Sequence, residues 1–183
     1  FFRIAKENNV RYLYEASVGG GIPIINAMLN ALTANKIVKV AGILNGTTNY
    51  ILTKMTQEGW SYEDALKQAQ KLGYAEFNPT ADVEGFDSMY KISILSSIAF
   101  AKKVGIDNVY REGITKISKD DIAYAKEMGY VIKLLAIAKN GENGMAKSCH
   151  GKNSDDLIVK VPVGTIVYDN TTNLIIADLT ENG

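Results

Sequence analysis

Apolar residues recur along this 183-residue chain with both the helical and the strand period. Ile24, Ile25, Met28, Leu29 and Leu32 fall at 3.6-residue spacing, and Pro23 suits the first turn of that helix, where its missing N–H costs nothing. A second helix starts near Tyr50 and runs on past Thr56. Ser61 with Asp64 three residues later is a capping-box pattern for a third helix through Leu72, which Gly73 ends. The longest helical pattern covers residues 86–104, and Ser118 with Asp121 repeats the cap signature before a helix ending near Gly129. Residues 9–17 are β-leaning and run into Gly19-Gly20-Gly21. Residues 36–44 read as a strand, followed by Asn45-Gly46-Thr47-Thr48 as a turn. Residues 74–85 form a polar loop, and the apolar run 130–139 predicts a buried strand or helix.

The pattern changes at Asn140. Residues 140–156 are rich in Gly, Asn, Ser and charge, which reads as a linker or irregular loop. Segments 157–161, 164–168 and 174–179 are β-branched, with 169–173 as a hairpin loop between the last two. That tail is too short to bury a core of its own. The expected architecture is α+β: a unit over residues 1–139 with a mixed sheet and helices on one face, then a short β-rich tail over 140–183.

Composition narrows the function. Twenty Lys and Arg balance twenty Asp and Glu, a net charge of zero that argues against a general nucleic-acid binder. With 46% hydrophobic and 22% charged residues the chain has the makings of an ordinary core. A single Cys rules out an internal disulfide framework and suits a reducing, cytoplasmic compartment, and a single His rules out any site needing two imidazoles from one chain. No apolar run is long enough to span a membrane. The sequence opens Phe-Phe-Arg-Ile-Ala-Lys, without an initiator Met or the pattern of a signal peptide, and reads as part of a longer soluble chain.

The strongest chemical signal lies in residues 73–91, where Glu76, Asp82, Glu84 and Asp87 precede Lys91. Asp87 and Lys91 are four apart and share a helix face. Such a pair is either a surface ion pair beside a solvated acidic loop, or a lysine steered by a carboxylate toward proton transfer. Gly19-Gly20-Gly21 before a helix is a tight turn that could also offer N–H groups to an anion or carbonyls to a cation. Cys149 beside His150 has no third ligand near in sequence, and Trp60 with the ten tyrosines reads as packing and rim.

Three blocks carry a resemblance: Tyr14-Glu15-Ala16-Ser17-Val18-Gly19-Gly20-Gly21-Ile22-Pro23, Gly42-Ile43-Leu44-Asn45-Gly46-Thr47-Thr48-Asn49-Tyr50-Ile51-Leu52, and the whole of residues 73–91. In this order and spacing they closely resemble homoserine dehydrogenase over residues 1–139. The resemblance implies NAD- or NADP-dependent interconversion of L-homoserine and L-aspartate 4-semialdehyde, in the biosynthesis of threonine and methionine. It also implies catalytic roles for Lys91, as acid/base group, and for Asp87 beside it. Glu76 and Asp82 would hold the substrate, with Tyr74, Gly46 and Thr47 lining the same pocket. A sodium ion would be bound by the main chain at Glu15, Val18, Gly20 and Ile22, and the sheet would form a homodimer.

The departures matter too. No Gly-x-Gly-x-x-Gly turn occurs, so the family's dinucleotide-binding half, with its second lysine, lies outside this sequence and the main cofactor-binding residues are unknown. The family's closing segment after Lys139 is not evident. Residues 140–183, with Cys149-His150-Gly151-Lys152-Asn153 and Asp156-Leu157-Ile158-Val159-Lys160-Val161-Pro162-Val163-Gly164-Thr165, look like part of the glycine-rich N-terminal domain of Obg-type GTPases. No phosphate-binding loop accompanies them, which argues against GTP binding. The expectation is an oxidoreductase fragment, inactive alone, with a ribosome-associated module in the tail or a non-catalytic dimerisation fragment as alternatives.

Overall fold

Local capping chemistry sets the helices of the computed structural model, which describes residues 1–141 and two short strands beyond them, Val167–Tyr168 and Ile175–Ala177. α1 (Phe2–Glu7) is followed by extended chain and then by α2 (Ile24–Asn26), which continues directly into a π-helical turn, Ala27–Ala31. β1 (Lys39–Gly42) leads into α3 (Gly46–Glu58) and α4 (Tyr62–Lys71). α5 (Thr80–Val83) and α6 (Phe86–Ala99) come next, then a single 3-10 turn, α7 (Lys119–Glu127) and β2 (Ala136–Lys139).

Both capping signatures hold. The Ser61 hydroxyl accepts the Asp64 N–H at the start of α4, and Ser118 with Asp121 forms a complete capping box at the start of α7. Gly73, at φ 78°, turns the chain out of α4 in the left-handed region that glycine tolerates.

Other elements differ from the expectation. Asn45-Gly46-Thr47-Thr48 is the N-cap and first turn of α3, because the Asn45 carboxamide oxygen accepts the Thr48 N–H and starts the helix early. The expected loop over 74–85 contains α5. The pattern over 86–104 ends as helix at Ala99: the Ser97 hydroxyl accepts the Val104 N–H at 3.0 Å, and the Ser93 hydroxyl donates to the Val104 carbonyl at 2.6 Å, so two serines hold the chain folded back on α6. Residues 9–17 form no strand: Leu13 is 86% exposed, and Phe2 packs edge-on against Tyr12 and Tyr14.

The expected mixed sheet is corrected in consequence. Among the described residues, with no strand over 9–17 to join it, β1 pairs only with β2, antiparallel, Lys39 opposite Lys139 and Gly42 opposite Ala136. The apolar run 130–139 is strand only in its last four residues. β3 (Val167–Tyr168) and β4 (Ile175–Ala177) pair antiparallel, within the segments expected to form a hairpin. The expected linker beyond Gly141, the segment 157–161 and the Cys149-His150 pair lie outside the described residues.

Two apolar clusters organise the chain. The larger joins Ile51, Leu52 and Met55 of α3, Ala65 and Ala69 of α4 and Ile122 and Ala125 of α7 with Val83, Ile114, Ile117, Ile132 and Leu134. The alanines let α3 and α4 approach closely. The smaller packs Leu95 of α6 on Val18, Ile25 and Met28, bordered by Val40 of β1. α6 thus lies along the β1–β2 ribbon and presents its N-terminal turns to the point where β1 enters α3. No helix among the described residues is long and apolar enough to cross a membrane.

One crossing fixes where α6 begins. The Ile114 N–H donates to the Val83 carbonyl at 2.7 Å, and a Cβ on Gly113 would overlap Val83 O and Glu84 Cα. Gly113→Ala should therefore lower stability by about 1–3 kcal/mol, the usual cost of overpacking; a shift in the urea midpoint measures it. Tyr62, packed against the larger cluster, has its phenol pushed up from 10.0 to about 12 by burial, with Glu84 and Glu63 adding to it. Its raised value favours the fold fully below pH 10.0, and that contribution is lost as pH rises toward about 12. The Tyr110 phenol is also raised, by its hydrogen bond to Glu112, so absorbance titration near 295 nm should show a late-titrating component that Tyr62→Phe diminishes.

Candidate active site

Where β1 ends, the chain passes through Leu44 to Asn45, and two features of that short link organise a polar cluster. Asn45 is buried, at 5% exposure. Its Oδ1 accepts the Thr48 N–H at 2.8 Å and the Thr48 hydroxyl at 2.9 Å, which fixes the carboxamide plane. Its Nδ2 then donates to Asp82 Oδ1 at 2.6 Å and to Asp87 Oδ2 at 2.9 Å. Lys91 Nζ donates to the same Asp87 Oδ2 at 2.6 Å and to the Leu44 carbonyl at 2.9 Å.

The helix spacing thus forms the expected pair, and it is no solvated surface contact. The side chains are 24% and 29% exposed for Lys91 and Asp87, and the carboxylate oxygen that the lysine uses is shared with a buried amide. α5 delivers Asp82, α6 delivers Asp87 and Lys91, and the β1–α3 link delivers the acceptor and donor between them.

Thr47 and Tyr74 lie nearby on one framework: the Thr47 hydroxyl donates to the Tyr74 carbonyl at 2.6 Å, and the Tyr74 ring tilts against Tyr50 with centroids 5.0 Å apart. Gly46 is in the first turn of α3, and a Cβ there would meet nothing within 4 Å, so the space beside it is open. Glu76 stands apart. It is exposed, its carbonyl accepts from Gln70 at 3.1 Å, and among the described residues no hydrogen bond or ion pair ties its carboxylate to the cluster. Glu84 also turns elsewhere, accepting from the Thr115 hydroxyl at 3.0 Å while its carbonyl accepts from Arg111, whose guanidinium stacks 3.6 Å above the Phe86 ring.

The glycine turn has its own geometry. Gly19 at φ 82° and Gly20 at φ 57° are both left-handed, and the Ile22 N–H closes the turn on the Gly19 carbonyl at 3.0 Å. The Glu15 side chain caps α2, accepting the Ile25 and Asn26 N–H groups at 2.8 and 2.7 Å. Val18 is buried beneath the turn and Ile22 is exposed on it. Among the described residues no cluster of three or more His, Cys, Asp or Glu side chains is arranged for a metal.

Two polar residues of note escaped the sequence reading. Asn45 carried a signal, since an Asn before a helical run is a good N-cap, but Asn-Gly reads equally as a turn. Lys133 carried none: its Nζ donates to Asn49 Oδ1 at 2.8 Å and Thr53 Oγ1 at 2.7 Å, partners about eighty residues away, and burial holds its ammonium below the usual lysine value.

Replacing Asp87 by Asn should destabilise the chain by about 1–3 kcal/mol, between the surface and the buried ion-pair limits, because Lys91 then loses its charged acceptor and keeps the Leu44 carbonyl. Chemical denaturation of Asp87→Asn beside the parent chain measures this.

Comparison with known proteins follows the same residues. The family model described as homoserine dehydrogenase matches residues 23–182. A homoserine dehydrogenase of Synechocystis is 47% identical over 169 residues, 92% of this chain and 37% of the relative. One from Neisseria gonorrhoeae is 46% identical over 149 residues, 81% of this chain and 34% of the relative. The crystal structure of a homoserine dehydrogenase from Thiobacillus denitrificans superposes with a TM-score of 0.75 at 50% identity, covering 78% of this chain and 33% of that one. A hyperthermophilic archaeal homoserine dehydrogenase mutant, solved in complex with NADPH, aligns with a TM-score of 0.62 at 27% identity, covering 93% of this chain and 50% of that one. The chain spans about a third of the length of the curated relatives it matches. The family match runs past Lys139, where the sequence had suggested that the family's pattern stops, and across the segment read as Obg-type, a reading to which these comparisons lend no support.

Proposed function

Because the chain belongs to the homoserine dehydrogenase family, we propose that the Asn45–Asp82–Asp87–Lys91 cluster is the acid–base and substrate side of an NAD(P)-dependent oxidoreductase interconverting L-homoserine and L-aspartate 4-semialdehyde. The observation that carries this reading is the Lys91 ammonium, held by Asp87 and by the Leu44 carbonyl. An ammonium has three N–H donors, and these two bonds leave one for a reacting oxygen.

The chemistry then follows from the geometry. When bound, the nicotinamide supplies or accepts the hydride at the reacting carbon. Lys91 hands its free proton to the aldehyde oxygen during reduction and takes the alcohol proton during oxidation. Asp87 keeps Nζ on its line, since the lysine cannot swing away without breaking a charge-assisted hydrogen bond. Glu76 and Asp82 hold the amino-acid substrate, with the exposed Glu76 carboxylate pairing with its α-ammonium. Tyr74, Gly46 and Thr47 line the same pocket, a role supported by the Thr47–Tyr74 bond and the open space beside Gly46.

The described residues hold no strand–glycine-turn–helix cradle for a pyrophosphate. They supply the substrate and proton-donor side of the reaction, and NADPH in the archaeal relative supports NAD(P) as the cofactor class. Sodium at the glycine turn is part of the proposal. The family resemblance implies the main-chain oxygens of Glu15, Val18, Gly20 and Ile22 as its ligands, and uncharged carbonyls suit a hard cation. A homodimer through the β1–β2 ribbon and a cytoplasmic biosynthetic role complete the reading; a monomer by sedimentation at micromolar concentration would count against the dimer.

The test joins this chain to the dinucleotide-binding half of a relative and follows homoserine-dependent NADPH formation. Lys91→Ala should lower kcat by a factor of about 10²–10⁴, the usual contribution of general acid–base catalysis. Unchanged turnover would overturn the assignment.

A further inference from the structure

Asp82 and Asp87 both approach one amide nitrogen, within 2.6 and 2.9 Å, although they sit on different helices. Two carboxylates brought this close repel unless a donor stands between them. Lys91 neutralises only Asp87 directly, and no other side chain among the described residues donates to Asp82. The donor between them is Asn45, and its orientation is over-determined: with Oδ1 engaged twice by Thr48, Nδ2 has nowhere to point except at the two acids. Asn45 is also buried at 5% exposure, so water does not substitute for it freely.

We propose that Asn45 is a positioning residue, whose carboxamide clamps Asp82 and Asp87 together and, through Asp87, aims the Lys91 ammonium. This rests on the reading of Lys91 and Asp87 given above, but it is a claim about geometry that holds without substrate. The helix cap and the carboxylate clamp use opposite ends of one side chain. The carboxamide oxygen starts α3, and the nitrogen joins α5 to α6. A change in the α3 N-terminus is therefore transmitted to the acid–base pair.

The two ends separate by substitution. Ser and Asp cap helices about as well as Asn, whereas Ala does not. Ser lacks the donor, and Asp replaces it with a third carboxylate. If Asn45 only caps, urea midpoints will run Asn, Asp and Ser together, with Asn45→Ala below them. If it clamps, Asn45→Asp will be the least stable of the set despite its intact cap, and Asn45→Ser will fall below the parent.

The spectroscopic arm uses the full 183-residue chain labelled with ¹⁵N-lysine. The Lys91 ammonium signal, sharpened by its two hydrogen bonds, should exchange with water about tenfold faster in both Asn45→Ser and Asn45→Ala, the scale of one lost charge-assisted bond. Exchange in Asn45→Ser equal to the parent would overturn the proposal, even if Asn45→Asp fails to fold. Failure of the dehydrogenase reading looks different: the clamp would persist by both measures, while Lys91→Ala in the joined enzyme kept full turnover.

Discussion

Carboxylates do not gather without a donor between them, and the donor that joins these two comes from the least conspicuous part of the chain. Between the end of β1 and the first turn of α3 lie a main-chain carbonyl, Leu44, and a carboxamide, Asn45. The first accepts from Lys91 and the second donates to Asp82 and Asp87. Everything else about the site is arranged around that link. α6 must lie along the β1–β2 ribbon to bring Lys91 to Leu44, and α5 must be short enough to turn Asp82 back toward α3. The crossing of Gly113 under Val83 and Glu84 holds the α5–α6 corner where both acids can reach Asn45.

The division of labour between the two apolar clusters has the same logic. The larger one, built on α3, α4 and α7, anchors the helix that Asn45 starts. The smaller one anchors the far end of α6 against β1 and the π turn after α2. The polar cluster sits between these two anchors, so its distances depend on both. Placing a charged group at such a junction limits its freedom without burying it completely, and leaves the lysine partly open to solvent.

Local chemistry was legible in the sequence and long-range convergence was not. The capping pairs at Ser61 and Asp64, and at Ser118 and Asp121, each act within one turn, and both helices start where they indicate. The Asp87–Lys91 pair was legible for the same reason, since helical spacing alone brings the two together. Asn45 shows where this fails: the property that makes Asn a turn residue, a short side chain bonding to nearby N–H groups, also makes it a helix cap, and nothing local chooses between them. Its partners lie thirty-seven and forty-two residues away. Glu76 and Glu84 show the opposite error of scale. They share a stretch of sequence with Asp82 and Asp87, yet one is solvated and the other is drawn to Thr115. The strand expected over residues 9–17 had the right residue types but no neighbour among the described residues to pair with, and strand preference means little without one.

The lysine's second acceptor belongs to the peptide backbone. Whatever residue occupies position 44 presents the same oxygen, so its side chain is at liberty to serve the apolar cluster beneath, as Leu44 does. What the ammonium senses is instead the alignment of β1 on β2, in which Gly42 faces Ala136. A slip of that ribbon by one residue would move the oxygen along the strand and turn it away, and would carry the neighbouring Asn45 carboxamide with it. Inheritance of the acceptor half of this contact therefore runs through strand register and not through the identity of residue 44.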